Sequence, residues 1–130
     1  MYSTHKKGIL GELEFSLHLI KKGYTVLQPI NPNSSYDLVI EKGGKFQRIQ
    51  VKYLTPRHGL LRVELDRPKR NTASYRDRDI DAFWVFNPTD KKYYLVPMAD
   101  ITSKTDFWLR LDKPKNAQVK QVHLASLFEI

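Results

Sequence analysis

The sequence predicts an α/β or α+β domain built around one mixed β-sheet. Three observations carry that reading. A helical apolar pattern opens the chain, strand-like runs follow with a polar, basic stretch between them, and a second helical pattern closes it. Helices before and after a set of strands pack most simply against a shared sheet. The 130 residues fit one domain with a single core, spanning 1–130.

"THKKGILGELEFSLHLIKKGY" reads as the first helix, capped by Ser3 or Thr4. Ile9, Leu13, Leu17 and Ile20 recur at helical spacing and are expected to face the core. Lys21 and Lys22 suit the negative end of the helix dipole, and Gly23 is a natural stop. "YTVLQ" reads as a short strand, and "PINPNSS" as a loop punctuated by Pro29 and Pro32. Two strands meet at Gly43-Gly44, and "GLLRVELDR" continues that series. "RPKRNTASYRDRD" is polar and irregular. "IDAFWVFNP" and "KKYYLVPM" are two further strands with a turn near Pro88-Thr89-Asp90, "DFWLRL" is another, and "AQVKQVHLASLFEI" is read as a closing helix. Trp84 and Phe86 alternate with Phe83 and Val85, the pattern of a strand buried on both faces.

The formal charge of +8 suits a polyanionic partner, nucleic acid first and a membrane surface second. With no cysteine, a disulfide framework, a thiolate zinc site and a cysteine nucleophile are excluded. No apolar run is long enough to span a bilayer. The N-terminus lacks the uninterrupted apolar stretch of a signal peptide, so a cytoplasmic protein is expected.

The chemistry is concentrated in "YDLVIEKGGKFQRIQVKY", Tyr36 to Tyr53. If Gly43-Gly44 forms a two-residue hairpin loop, Lys42 sits opposite Lys45 and Asp37 opposite Gln50. A symmetric four-residue loop preserves that register, whereas an odd-length loop breaks it. Alternation then puts Tyr36, Leu38, Ile40, Ile49, Val51 and Tyr53 on one apolar face. Asp37, Gln50 and Lys52 share the other. A carboxylate and an amide oxygen are hard ligands suited to Mg²⁺. A neighbouring lysine can orient or deprotonate a water, or stabilise charge on a phosphate. By themselves these three side chains are better described as a solvated polar face with an ordinary Asp–Lys pair. A third carboxylate would separate the two readings. Glu12 is preferred for it, because Gly11 beside it lets another segment approach closely. Glu14 is the fallback, since its spacing to His18 is that of a helix-surface pair.

A glutamate on the first helix, an aspartate opening one strand and a (D/E/Q)-x-K ending the next resemble the PD-(D/E)XK nuclease superfamily. "GILGELEF" is similar to the first-helix motif of its archaeal Holliday junction resolvases and intron endonucleases. "SYD" stands where Pro-Asp would stand, and "QVK" fills the last motif. Glutamine there resembles the cyanobacterial group I intron homing endonuclease branch, as do "YRDRDIDAFWVFNPTDKKYYLVPMADI" and "FWLRLDKPKNAQ". The resemblance implies a restriction-endonuclease-like fold, a central mixed β-sheet flanked by helices. It implies hydrolysis of double-stranded DNA with Mg²⁺, or Mn²⁺ in its place. Carried over, Asp37 is the central metal ligand, assisted by Glu12. Gln50 replaces the usual second acid, the Val51 carbonyl is a further ligand, and Lys52 handles the attacking water. A homodimer or homotetramer is expected. A junction resolvase, a restriction-type nuclease and a DNA-binding protein that lost the chemistry are the alternatives.

Expected DNA contacts lie before and after the hairpin. Asn33, Ser34 and Ser35 precede Asp37 and could touch the backbone beside the cut. Arg57, Arg62, Lys69, Arg70, Arg76 and Arg78 follow in quick succession and suit phosphates. Arg62, Glu64 and Asp66 alternate with Leu61, Val63 and Leu65, so the polar three share a face that could read base edges. His58 is a further candidate contact. His5 and His18 are read as helix-surface residues, and His123 as part of the closing helix. Asp79 and Asp81 are read as a cap or as ion pairs with the neighbouring arginines.

Overall fold

The structure, a computed structural model, describes residues 2–31, 34–65, 80–102, 105–112 and 122–130. One α-helix, α1 (Thr4–Lys21), leads into strands β1 (Thr25–Leu27), β2 (Leu38–Lys42), β3 (Lys45–Tyr53) and β4 (Leu60–Glu64). After the basic stretch come β5 (Ala82–Asn87), β6 (Lys92–Pro97), β7 (Asp106–Arg110) and β8 (Val122–Leu124).

Both ends of α1 follow from local chemistry. Ser3 Oγ accepts the Lys6 N–H at 3.2 Å, satisfying one of the orphan donors of the first turn. Gly23, at φ 90°, closes the other end. Its N–H reaches the Ile20 carbonyl and that of Tyr24 reaches Leu19, each at 3.0 Å, which is the Schellman pattern.

The strands form two sheets. The larger runs β1-β2-β3-β5-β6, with β3 and β5 parallel and its other neighbours antiparallel. The smaller runs β4-β7-β8. The α/β class holds, but the third strand of the series leaves the main sheet: β4 pairs with β7, Arg62 facing Trp108. The expected closing helix is also corrected, because Val122–Leu124 pair in parallel with β7 and only a single 3₁₀ turn, Ala125–Leu127, follows. Residues 117–121 of that expectation lie outside the described residues.

The layers stack as helix, large sheet, small sheet. Phe15 and Leu19 of α1 pack on Leu38, Ile40, Ile49, Ala82 and Trp84. On the opposite face Phe83, Val85, Tyr94 and Val96 meet Leu61, Val63, Phe107 and Leu109 of the small sheet. Every residue of β5 is therefore buried, as the sequence pattern predicts.

The face of α1 that packs is not the expected one. Ile9, Leu13, Leu17 and Ile20 are exposed, Leu13 at 62%, whereas Gly11, Phe15 and Leu19 are buried. The helix carries two apolar stripes, and Gly11 selects between them. A Cβ on Gly11 would lie 3.3 Å from Val51 Cγ1 and 3.6 Å from Tyr53 Cβ, so only this stripe lets α1 approach β3 closely.

These contacts set opposite expectations for two apolar residues on one helix. Phe15→Ala removes a fully buried ring and is expected to cost about 3–5 kcal/mol in urea denaturation. Leu13→Ala is expected to change stability by less than about 0.5 kcal/mol. Equal losses would contradict the packing.

Candidate active site

Gly43 and Gly44 have φ values of 60° and 83°, the two positive angles of a type I′ hairpin turn. Lys42 pairs with Lys45, and the ladder runs to Leu38 opposite Ile49. There the ladder ends: the Asp37 N–H also donates to the Ile49 carbonyl, at 2.9 Å, so Asp37 and Leu38 both face Ile49 in a bulge-like step. Asp37 and Gln50 meet through their side chains and not through a backbone pair.

The Asp37 side chain takes over where the β2 backbone ends. Its Oδ2 accepts the Val51 N–H at 2.8 Å and the Gln50 amide Nε2 at 3.0 Å. One carboxylate oxygen therefore caps β3 and fixes Gln50, which is only 8% exposed. Lys52 lies two residues on along the same face and is half-buried. Behind these residues stands β5, with Phe83 beside Gln50 and Val85 beside Lys52.

The close approach at Gly11 brings the next residue into the same neighbourhood. Burial raises the Glu12 carboxyl above its ordinary value, and the negative charge of Asp37 raises it further. Glu14 has a different engagement. Its Oε2 accepts the Tyr93 hydroxyl at 2.9 Å, and burial together with that carboxylate pushes the Tyr93 phenol up to about 12. His18 is not a plain surface residue. It stacks on Tyr93 with ring centroids 3.9 Å apart, and its Nε2 lies 2.7 Å from the Ile130 carbonyl oxygen. Glu14 and His18 thus tie α1 to β6 and the C-terminal segment.

One charged residue beside the site was missed in the sequence. Arg48 shares the Gln50 face and pairs with Asp81, with Nη2–Oδ1 and Nε–Oδ2 both at 2.9 Å. Its backbone N–H adds a 2.7 Å bond, and the pair holds Asp81 below the usual carboxylate range. Asp81 is therefore an ion-pair residue, although its arginine comes from β3 and not from the preceding segment. The hairpin register was the available signal, since it puts Arg48, Gln50 and Lys52 on one face.

The expected DNA-contacting residues divide. Ser34 accepts the Tyr36 N–H at 3.4 Å, and Ser35 is exposed. Arg57 and His58 are exposed in the turn before β4. Arg62 and Glu64 share the outer face of the small sheet with Asp106 and Trp108. Arg62 reaches Glu64 at 3.0 Å and Asp106 at 3.2 Å, with its guanidinium 5.9 Å from the Trp108 ring centroid. Its charge is therefore met locally. His123 lies in β8 and stacks on Phe107 at 4.5 Å. Asn33, Asp66, Lys69, Arg70, Arg76, Arg78 and Asp79 lie outside the described residues.

A profile of PD-(D/E)XK endonucleases matches residues 2–130. The chain belongs to the PD-(D/E)XK endonuclease family. A 55-residue segment is 40% identical to Protein 5.3 of Escherichia phage T7, covering 42% of this chain and 47% of the phage protein. The chain thus matches about half the length of that relative. Among solved structures, the bacterial homing endonuclease I-Ssp6803I superposes over 99% of this chain and 88% of its own, with a TM-score of 0.73 and 22% identity. That likeness establishes the restriction-endonuclease-like fold.

PD-(D/E)XK nucleases generally use divalent metal ions, and the donors here fit one. Among the described residues no three His, Asp or Glu side chains gather into a metal cage. With Gln50 where the motif's second acid would stand, the group offers two carboxylates, an amide and the Val51 carbonyl, all hard oxygen donors. The charge repulsion written into Glu12 is what a cation between the carboxylates would relieve.

Two outcomes follow. A carboxyl raised on folding favours the folded state at low pH, and this contribution is lost as pH rises through the folded-state value. In EDTA, Glu12→Gln is therefore expected to melt above the wild type at neutral pH, with the gap closing on acidification. Gln50→Glu places a second charge against Asp37 Oδ2. It is expected to cost about 1–3 kcal/mol in EDTA and to recover when Mg²⁺ is added, both read as shifts in Tm.

Proposed function

We propose that this protein is a Mg²⁺-dependent, site-specific endonuclease of double-stranded DNA, of the intron-homing kind. The observation that carries the reading is the Asp37 carboxylate. It is locked by the Val51 N–H and the Gln50 amide and lies within electrostatic reach of Glu12. Family membership supports nuclease chemistry. The homing reading is supported by Gln50 in the last motif and by the likeness to a bacterial homing endonuclease along nearly the whole chain.

In this proposal Asp37, Glu12, Gln50 and the Val51 carbonyl would hold the cation. When bound, Mg²⁺ supplies positive charge to the scissile phosphate and acidity to a water. Lys52 orients that water or stabilises the charge developing on the phosphate. Asp37, Gln50 and Lys52 are held together by one hairpin, which limits their reorganisation during the reaction. Gln50 removes one negative charge from the site, so divalent cations bind less tightly than with an acid there. Ser34, Ser35, Arg57 and Arg62 contact the DNA, together with Asn33, Lys69, Arg70, Arg76 and Arg78. One such site cuts one strand, so a double-strand break requires a homodimer or homotetramer.

Asp37→Ala and Lys52→Ala are each expected to lower plasmid cleavage in Mg²⁺ by about a hundredfold or more. Full cleavage by Asp37→Ala protein would sink the assignment. Equal cleavage of four-way junctions of unrelated sequence would replace homing with junction resolution.

A further inference from the structure

At the C-terminal ends of the parallel strands β3 and β5, on the α1 side of the sheet, lies a cavity of about 350 Å³. It is separate from the Asp37 face and no residue proposed for catalysis lines it. Its walls include Tyr53, Phe86 and Tyr93. Phe86 and Tyr93 are stacked, with centroids 5.1 Å apart and planes at 28°, and Tyr53 meets Phe86 edge-on at 5.5 Å. The volume lies within the range of small-molecule sites.

Two polar features give this slot a chemical character. Glu14 also lines it, and its carboxylate is fixed against the aromatic wall by the 2.9 Å bond from the Tyr93 hydroxyl. Lys91 stands at the rim with φ 52°, a left-handed conformation uncommon for a residue with a side chain. The turn that holds it there is pinned by the fully buried Asn87. Its Oδ1 accepts the N–H groups of Thr89 and Asp90, and its Nδ2 donates to the Asp90 carboxylate at 2.9 Å. Strain maintained by such a network is a mark of functional segments. Stacked rings, one fixed carboxylate acceptor and a cationic rim complement the three parts of a nucleotide: a flat base, an N–H edge and a phosphate.

We propose that this slot holds one unpaired nucleobase of the DNA substrate, guanine by preference. The choice of DNA as its source rests on the endonuclease reading above. The base packs on the partly exposed Tyr53 ring, because Phe86 is buried and His18 already covers Tyr93, and Lys91 faces its phosphate. Guanine presents two adjacent donors, N1–H and the N2 amino group, to a single carboxylate. The other bases offer that edge only one donor group. Tyr53 directly follows Lys52 and lies three residues beyond Gln50, about 10 Å along the strand. Tyr53 faces the α1 side and Lys52 the other, so the slot takes a nucleotide that passes the end of β3 and not the one being cut. Extruding that base costs unstacking energy, which makes a weakly paired position the easier target.

The test is saturation-transfer NMR on the intact chain with dGMP, dAMP, dCMP, dTMP and deoxyribose 5-phosphate. Saturation is expected on the base protons, strongest for dGMP, and to be absent for the sugar phosphate. Glu14→Gln, which keeps an oxygen for Tyr93, and Tyr53→Leu are each expected to weaken dGMP binding about tenfold. A second arm compares a duplex carrying one unpaired guanine with its fully paired counterpart, in Ca²⁺. The wild type is expected to bind the unpaired form about tenfold tighter, and Glu14→Gln to lose that preference. Equal saturation of nucleotides and sugar phosphate, or indifference to both substitutions, overturns the proposal. Binding of dGMP with no preference for the unpaired duplex overturns the DNA source. Plasmid cleavage without base saturation fells the pocket alone, and saturation without cleavage fells the endonuclease reading alone.

Discussion

The pairing of Lys42 with Lys45 across Gly43-Gly44 is the constraint on which the rest of the site depends. Side chains alternate along a strand, so a slip of one residue would turn Gln50 and Lys52 to the opposite face. Two glycines at positive φ make the even, two-residue turn inexpensive. From that register follow the meeting of Asp37 with Gln50 and the use of Asp37 Oδ2 as the cap for the Val51 N–H. The same alternation gives α1 its docking surface, since Ile49 and Val51 face the helix while Gln50 and Lys52 do not. The polar Gln50 and Lys52 and the helix-facing core are therefore on two sides of one strand.

α1 adds the second constraint. It comes close to β3 at Gly11, and the neighbouring Glu12 is carried toward Asp37 by that approach. Glu14, two residues later, points its chemistry elsewhere and binds Tyr93. The division between these glutamates rests on geometry, since both lie on the same short stretch of helix. Two carboxylates, one amide and one lysine make a less negative centre than three acids would. All but the lysine are hard oxygen donors, the type a divalent cation takes.

Where the governing interactions are local, the sequence was a sufficient guide. The hairpin register, the Schellman stop at Gly23 and the double burial of β5 all follow from turn chemistry and period-two patterning. The packed face of α1 was not legible from periodicity, because Ile9-Leu13-Leu17-Ile20 and Phe15-Leu19 are both apolar stripes. Gly11 held the deciding information, and it was read only for its effect on Glu12. Strand partners chosen over long sequence distances were also missed. Nothing near Arg62 announces that it will face Trp108, and β8 forms where a helical pattern is overridden by pairing with β7. In the site, the Asp37–Gln50–Lys52 grouping was readable from alternation. The Arg48–Asp81 pair was not, because it requires β5 to lie beside β3.

The most direct test of the central claim is digestion of a randomised-sequence DNA library by the wild-type chain, with Mg²⁺ or with EDTA, followed by sequencing of the new ends. A recurrent sequence at the ends, one fixed stagger and complete dependence on Mg²⁺ are the expected result. Ends no more frequent with Mg²⁺ than with EDTA would contradict the assignment of Glu12, Asp37, Gln50 and Lys52 as a metal-dependent cutting site.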